Sequence, residues 1–195
     1  MSEMVITELA TILATPGDPD WEVLLKNTFD QEIHPHRKQG FLLSREALRI
    51  ALESQGHTPT ISDLNVLQHR SLARFTDLTL SLSHTPLVGA AVIADKGTHP
   101  AVGIDVEARS RRVKDTIIER ISHPRDEKFT GLELWCLKEA TFKALMNTGR
   151  FERPVEFSSL EIRKDDWLHS PSGTTGRWEL RPSTEYVVGL AYLGT

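Results

Sequence analysis

The sequence predicts an α+β protein built as two similar α+β halves, packed as a pseudo-twofold dimer within one chain. Three observations carry that expectation. At 195 residues the chain is long enough to bury one core, or two merged small ones, without metal or disulfide staples. Helical periodicity and strand-like apolar runs alternate along its length. Two apolar runs that each enclose a glycine, LVGAAVIA at 87–94 and VVGLAYLG at 187–194, echo one another near the end of each half. The expected division is an N-terminal half over 1–100 and a C-terminal half over 101–195, with a ligand cleft between them.

The elements follow in order. DWEVLLKNTF (20–29) suggests a short helix, and DQEIHPHRKQG (30–40) a polar connector punctuated by Pro35 and Gly40. His34 and His36 decorate that connector, since two histidines without further nearby ligands do not make a metal site. In FLLSREALRIALESQG (41–56) Leu43, Ala47, Leu48, Ala51 and Leu52 recur at spacings of three and four, and Gly56 supplies the stop. Strands are expected over LTLSLSH (78–84), LVGAAVIAD (87–95) and AVGIDVE (101–107), with Asp95-Lys96-Gly97 as a turn. KDTIIERIS (114–122) is a short helix and 132–146 a long one. FSSLEI (157–162), GRWELRP (176–182) and EYVVGLAYLG (185–194) complete the strands.

Composition narrows the class of function. Lys and Arg total 23 against 27 Asp and Glu, a net of −4, which disfavours sequence-independent nucleic-acid binding. Cys136 is the single cysteine, so no disulfide forms within the chain. The opening MSEMVITELATIL lacks a secretory pattern, and no apolar run approaches the roughly 20 residues that span a bilayer. A cytoplasmic protein, free of membrane and nucleic acid, is the expectation.

Two stretches carry chemistry. Asp105 and Glu107 are two apart on a strand and share one face while Ile104 and Val106 enter the core. Their mutual repulsion is explained by a bound Mg²⁺, a hard cation that takes carboxylate oxygens, or by an exposed strand end where both acids are solvated. On the helix LELWCLKEATFKAL (132–145), Leu134, Leu137, Ala144 and Leu145 form the packing stripe, and Lys138, Glu139 and Lys143 lie off it. Glu139 and Lys143 are four apart; taken alone they make a surface ion pair worth about 0.2–0.5 kcal/mol. Cys136 is a small packing residue. Ser83 and His84, directly before an apolar strand, either cap its turn or stand at a ligand site.

The order of these pieces, Ser83-His84, then Gly103-Ile104-Asp105-Val106-Glu107, then Trp135-Cys136-Leu137-Lys138-Glu139-Ala140-Thr141-Phe142-Lys143, resembles the 4′-phosphopantetheinyl transferase superfamily. The matched text spans about residues 80 to 150, and the length looks like the surfactin-synthetase-type class, in which one chain holds two similar halves. The resemblance implies transfer of 4′-phosphopantetheine from coenzyme A to a serine of an acyl or peptidyl carrier protein, releasing 3′,5′-ADP, by a monomeric enzyme. It implies Mg²⁺ on Asp105, Glu107 and Glu139, and the diphosphate on Lys143. Ser83 and His84 match phosphate contacts, His84 at the 3′-phosphate, while Arg37, Lys38 and Arg45 fall where the family places basic phosphate contacts. Glu139 or a metal-bound water takes the serine proton.

Two departures stand out. The family usually has Asn where this chain has Ser81, and often Gly-Lys-Pro where this chain reads LQHRSLARFTD, leaving Arg70 or Arg74 as replacements for the lysine. The basic run RSRRVK (109–114) is either a docking patch for acidic carriers or a solvated loop. Competing functions are a coenzyme A-binding module without transferase activity, and a Mg²⁺-dependent nucleotide phosphohydrolase.

Overall fold

A computed structural model describes residues 5–6, 21, 24–25, 28, 34–67, 71–151 and 155–194. Most of the helix expected over 20–29 lies outside them, as does Arg70. The described elements are β1 (Val5–Ile6), α1 (Pro35–Ser54), β2 (Val66–Leu67), β3 (Ser71–Leu72), β4 (Leu78–His84), β5 (Gly89–Asp95), β6 (Ala101–Ala108), α2 (Asp115–Ile121), α3 (Gly131–Asn147), β7 (Leu160–Ile162), β8 (Asp166–His169), β9 (Thr174–Pro182) and β10 (Tyr186–Leu193), with short 3₁₀ turns at Ile61–Leu64 and Phe157–Ser159. This is an α+β fold with antiparallel sheets.

β1, β5 and β4 form one sheet in that order, and β6-β10-β9-β8-β7 form a five-stranded second sheet. α1 packs on β5, burying Leu43, Ala47, Leu48, Ala51 and Leu52, the stripe its spacing predicts. α3 packs on β6 and β10 with Leu134, Leu137, Ala140, Ala144 and Leu145 inward. Between the sheets lies an apolar layer of Ala90, Val92 and Ala94 against Val102, Ile104, Val106, Val188 and Leu190. Burial of these side chains, at about 1.5–3 kcal/mol for each larger one, is the main force joining the sheets.

The seam between the sheets positions the site. β4 and β6 are edge strands of their respective sheets, and their polar backbone groups find partners in side chains. Ile104 N–H donates to Ser81 Oγ at 3.2 Å and Val106 N–H to Ser83 Oγ at 3.3 Å. Asn147 Nδ2 donates to Leu80 O at 2.9 Å and to Val102 O at 2.8 Å, one carbonyl from each edge.

Several expectations are corrected. The stretch 35–40 is helix, not connector: Pro35 takes the first helical position, where its missing N–H costs nothing, and His34 caps it by accepting from His36 N–H. Gly40 lies within the helix because His84 occupies the space a side chain would need. Gly56, at φ +80°, does follow the helix end. Lys138 is buried instead of facing water, bonded to Asp126 at 2.8 Å and to the carbonyl of Leu160. Phe157–Ser159 is a 3₁₀ turn, so the strand expected over 157–162 begins only at Leu160.

Candidate active site

The two sequence signatures meet because α3 lies flat on β6. A Cβ at Gly103 would fall 2.0 Å from Ala140 O and 2.5 Å from Ala144 N. Only glycine admits the helix this closely, and the approach brings Lys143 onto the strand. Lys143 Nζ donates to Asp105 Oδ1 at 2.8 Å and to Ile104 O at 3.0 Å. The surface Glu139–Lys143 pair therefore does not form among the described ion pairs; Lys143 is spent on Asp105.

Asp105 is buried. Its Oδ1 also accepts from Ser83 Oγ at 2.8 Å, while its Oδ2 is buried with no hydrogen bond. Glu107 is buried too: its Oε1 accepts from Trp135 Nε1 at 3.0 Å and from Arg111, whose guanidinium lies 5.0 Å from the Trp135 ring. Neither acid is a solvated strand end. Glu139, on the α3 face toward them, has its carboxyl pushed up by burial and by the charge of Asp105, with Lys143 pulling the other way.

Ser83 does not cap the turn after β4. That role falls to Thr85, whose Oγ1 accepts from Leu87 and Val88 N–H. His84 ends β4 with its imidazole against Gly40, where a Cβ would come 2.3 Å from Cε1. Burial holds its pKa below the ordinary value, and the charges of Lys143 and Arg45 push in the same direction. Arg45 itself is brought down to about 10 by burial; its Nε lacks a partner, its Nη1 reaches Ser44 Oγ at 3.2 Å, and it stacks 4.3 Å over Phe41. Arg45 and Lys143 line a cavity of about 580 Å³ together with Ser81, Phe142 and Asn147.

Other predicted residues fall elsewhere. Arg37 and Lys38 are exposed on the first turn of α1. Arg74 is tied to Asp63 at 3.0 Å and to Thr58 O, so it is committed to the fold. Cys136 is fully buried, donating to Asp105 O and Val187 O, with its thiol pushed well up by burial. Within RSRRVK, Arg111 turns in to Glu107 and Arg109 to Ser183 O, while Arg112 and Lys114 face solvent. The reading of the sequence missed Gly40, Thr85 and Asn147; for Gly40 the available signal was a glycine inside an otherwise helical stretch.

Among the described residues, no group of three or more His, Cys, Asp or Glu gathers closely enough to hold a metal as the side chains lie. The donor set nonetheless suits a hard cation. Asp105 Oδ2 is a buried orphan, and two carboxylates, Asp105 and Glu107, are close enough to raise the proton affinity of Glu139.

Buried acids, the cationic side chains of Arg45 and Lys143 and a neighbouring cavity meet at the seam of two sheets on an α+β frame. Residues 101–191, which contain both signatures, belong to the 4′-phosphopantetheinyl transferase superfamily, whose sequence profile they match. Phosphopantetheine transfer is the general chemistry of that superfamily. No curated protein matches the chain. None of the described helices is long and apolar enough to cross a membrane.

Proposed function

We propose that the protein transfers 4′-phosphopantetheine from coenzyme A to a serine of an acyl or peptidyl carrier protein, with Mg²⁺, releasing 3′,5′-ADP. The observation that carries this reading is the junction of Ser83, Asp105 and Lys143, which brings all three ordered motifs to one point beside a cation-lined cavity.

In this reading His84 and Arg45 take the 3′-phosphate, assisted by Ser83 and by Arg37 and Lys38 at the start of α1. Lys143 takes the diphosphate and offsets charge that builds on the transferring phosphoryl group. Asp105, Glu107 and Glu139 would hold Mg²⁺, which would supply Lewis-acid stabilisation of the diphosphate. The carrier serine oxygen forms a bond to the β-phosphorus, the bridging oxygen leaves with 3′,5′-ADP, and Glu139 accepts the serine proton. The exposed Arg112 and Lys114 offer an acidic carrier a docking point beside Glu107.

The two sheets are read as the two similar halves of the surfactin-synthetase-type class, divided near residue 100. In support, each carries one long helix across a strand glycine: Gly89 of β5 beneath Leu43 O of α1, and Gly189 of β10 beneath Cys136 O of α3. A cytoplasmic monomer completes the reading; the buried, unpaired Cys136 agrees with a reducing setting.

His84 gives a direct test. Its depressed pKa leaves the imidazole neutral near pH 7 in the free protein, and a 3′-phosphate would favour the charged form. His84→Ala is expected to weaken coenzyme A about ten- to a hundredfold while leaving 3′-dephospho-coenzyme A nearly unchanged, by calorimetric titration. The wild-type preference for coenzyme A should grow as pH falls and be accompanied by proton uptake. Equal weakening of both ligands would remove His84 from the 3′-phosphate.

A further inference from the structure

Asn147 closes α3 and does two things at once. Both hydrogens of its amide are spent on the seam, one on Leu80 O at 2.9 Å and one on Val102 O at 2.8 Å. Two carbonyl oxygens demand donors, so the nitrogen must be the atom that faces them, and the amide has a single admissible orientation. Its Oδ1 is consequently turned away from the seam. That oxygen takes no hydrogen bond from the described residues and is not among the buried orphans, and Asn147 lines the cavity that also holds Arg45 and Lys143.

The cavity has apolar and aromatic walls, Val66, Leu82, Phe142, Met146 and Phe151. Flat apolar walls with cations beside them suit a purine nucleotide: the base packs on the walls and its phosphates meet Arg45 and Lys143. An immobilised amide oxygen in such a wall reads one feature of a base, an N–H donor. Adenine offers one in its 6-amino group; hypoxanthine offers an oxygen at the same place. We infer that Asn147 is a specificity-determining residue whose Oδ1 accepts from the 6-amino group of the adenine of coenzyme A, its orientation fixed by the two seam carbonyls. The inference rests on the coenzyme A reading of the cavity. It assigns a second function to the residue that joins the sheets, so the base is read by a group that exists in this orientation only when the seam is closed.

The test is calorimetric titration of adenosine 3′,5′-bisphosphate and inosine 3′,5′-bisphosphate against the wild type and Asn147→Ala. The ratio of the two affinities cancels any general damage from loosening the seam. The wild type is expected to prefer the adenosine compound at least tenfold, and the variant to bring the ratio near unity. An unchanged ratio in the variant, or no preference in the wild type, overturns the inference. If the variant does not fold, the wild type suffices. Its asparagines are Asn27, Asn65 and Asn147, and the side-chain carbonyl carbon signal of Asn147 in NMR should move with the adenosine compound and stay with the inosine one. A shift with neither, or with both alike, overturns the inference. Failure of the wild type to bind either bisphosphate overturns the coenzyme A reading itself, and this inference with it.

Discussion

His84 and Gly40 show how a single residue's chemistry depends on a neighbour far off in the chain. The imidazole sits where a Gly40 side chain would be, and it is the movable end of a side chain, so a methyl there displaces it at small cost. Gly40→Ala should leave stability equal or raise it, since alanine favours a helix interior over glycine by about 1 kcal/mol. The same change should weaken coenzyme A severalfold, read by calorimetry beside a thermal melt. Glu139 makes a second residue-scale prediction. Its folded-state pKa is raised by burial and by Asp105, so stability is lost as pH rises from the ordinary carboxylate value to the raised one, and the loss is complete above it. Glu139→Gln should therefore melt higher than wild type at neutral pH, the gain vanishing below the ordinary carboxylate range, where both states hold the proton. Turnover should fall about 10²- to 10⁴-fold if Glu139 takes the serine proton; near-normal turnover would move the base elsewhere. At this scale the sequence singles out Asp105, Glu139 and Lys143, but not whom they touch. That Lys143 bonds Asp105, 38 positions away, and not its helix neighbour Glu139, is decided by packing.

Elements with strong periodicity were legible. The apolar stripes of α1 and α3 and the alternation in β6 are written in the order of residues. β8 was not: its four residues, flanked by Asp165 and by Ser170-Pro171-Ser172, contain no apolar run, although Trp167 is fully buried. The start of α1 was also hidden, because Pro35 and Gly40 read as breakers when they are an N-terminal proline and a space for His84. The element that matters most for the site is α3 on β6. At Gly103 the obstacle to a side chain is helix backbone, which cannot swing aside as His84 can. Gly103→Ala should cost about 1–3 kcal/mol in chemical denaturation and reduce transfer as well, because it lifts Lys143 from Asp105. Lost activity without lost stability would contradict close packing as the role of this glycine.

In the whole molecule, the site belongs to neither sheet alone. Ser83 and His84 come from the edge of one, Asp105 and Glu107 from the edge of the other, and Glu139, Lys143 and Asn147 from the helix that overlies the second and reaches back to the first. The sequence contains the strand edges but no mark of which edges meet, because the serines and the asparagine that join them are polar residues with no periodic signature. The echo of 87–94 in 187–194 suggests two similar halves; in the fold, Gly89 and Gly189 each lie against a helix backbone carbonyl, Leu43 O and Cys136 O. The central claim is that this seam transfers phosphopantetheine with a divalent cation. Mass spectrometry of several apo carrier proteins incubated with the protein, coenzyme A and Mg²⁺ tests it most directly. The account predicts a mass gain of one phosphopantetheinyl group on the carrier serine, abolished by EDTA and restored by added Mg²⁺. Release of 3′,5′-ADP with no gain in carrier mass, or turnover indifferent to EDTA, would contradict it.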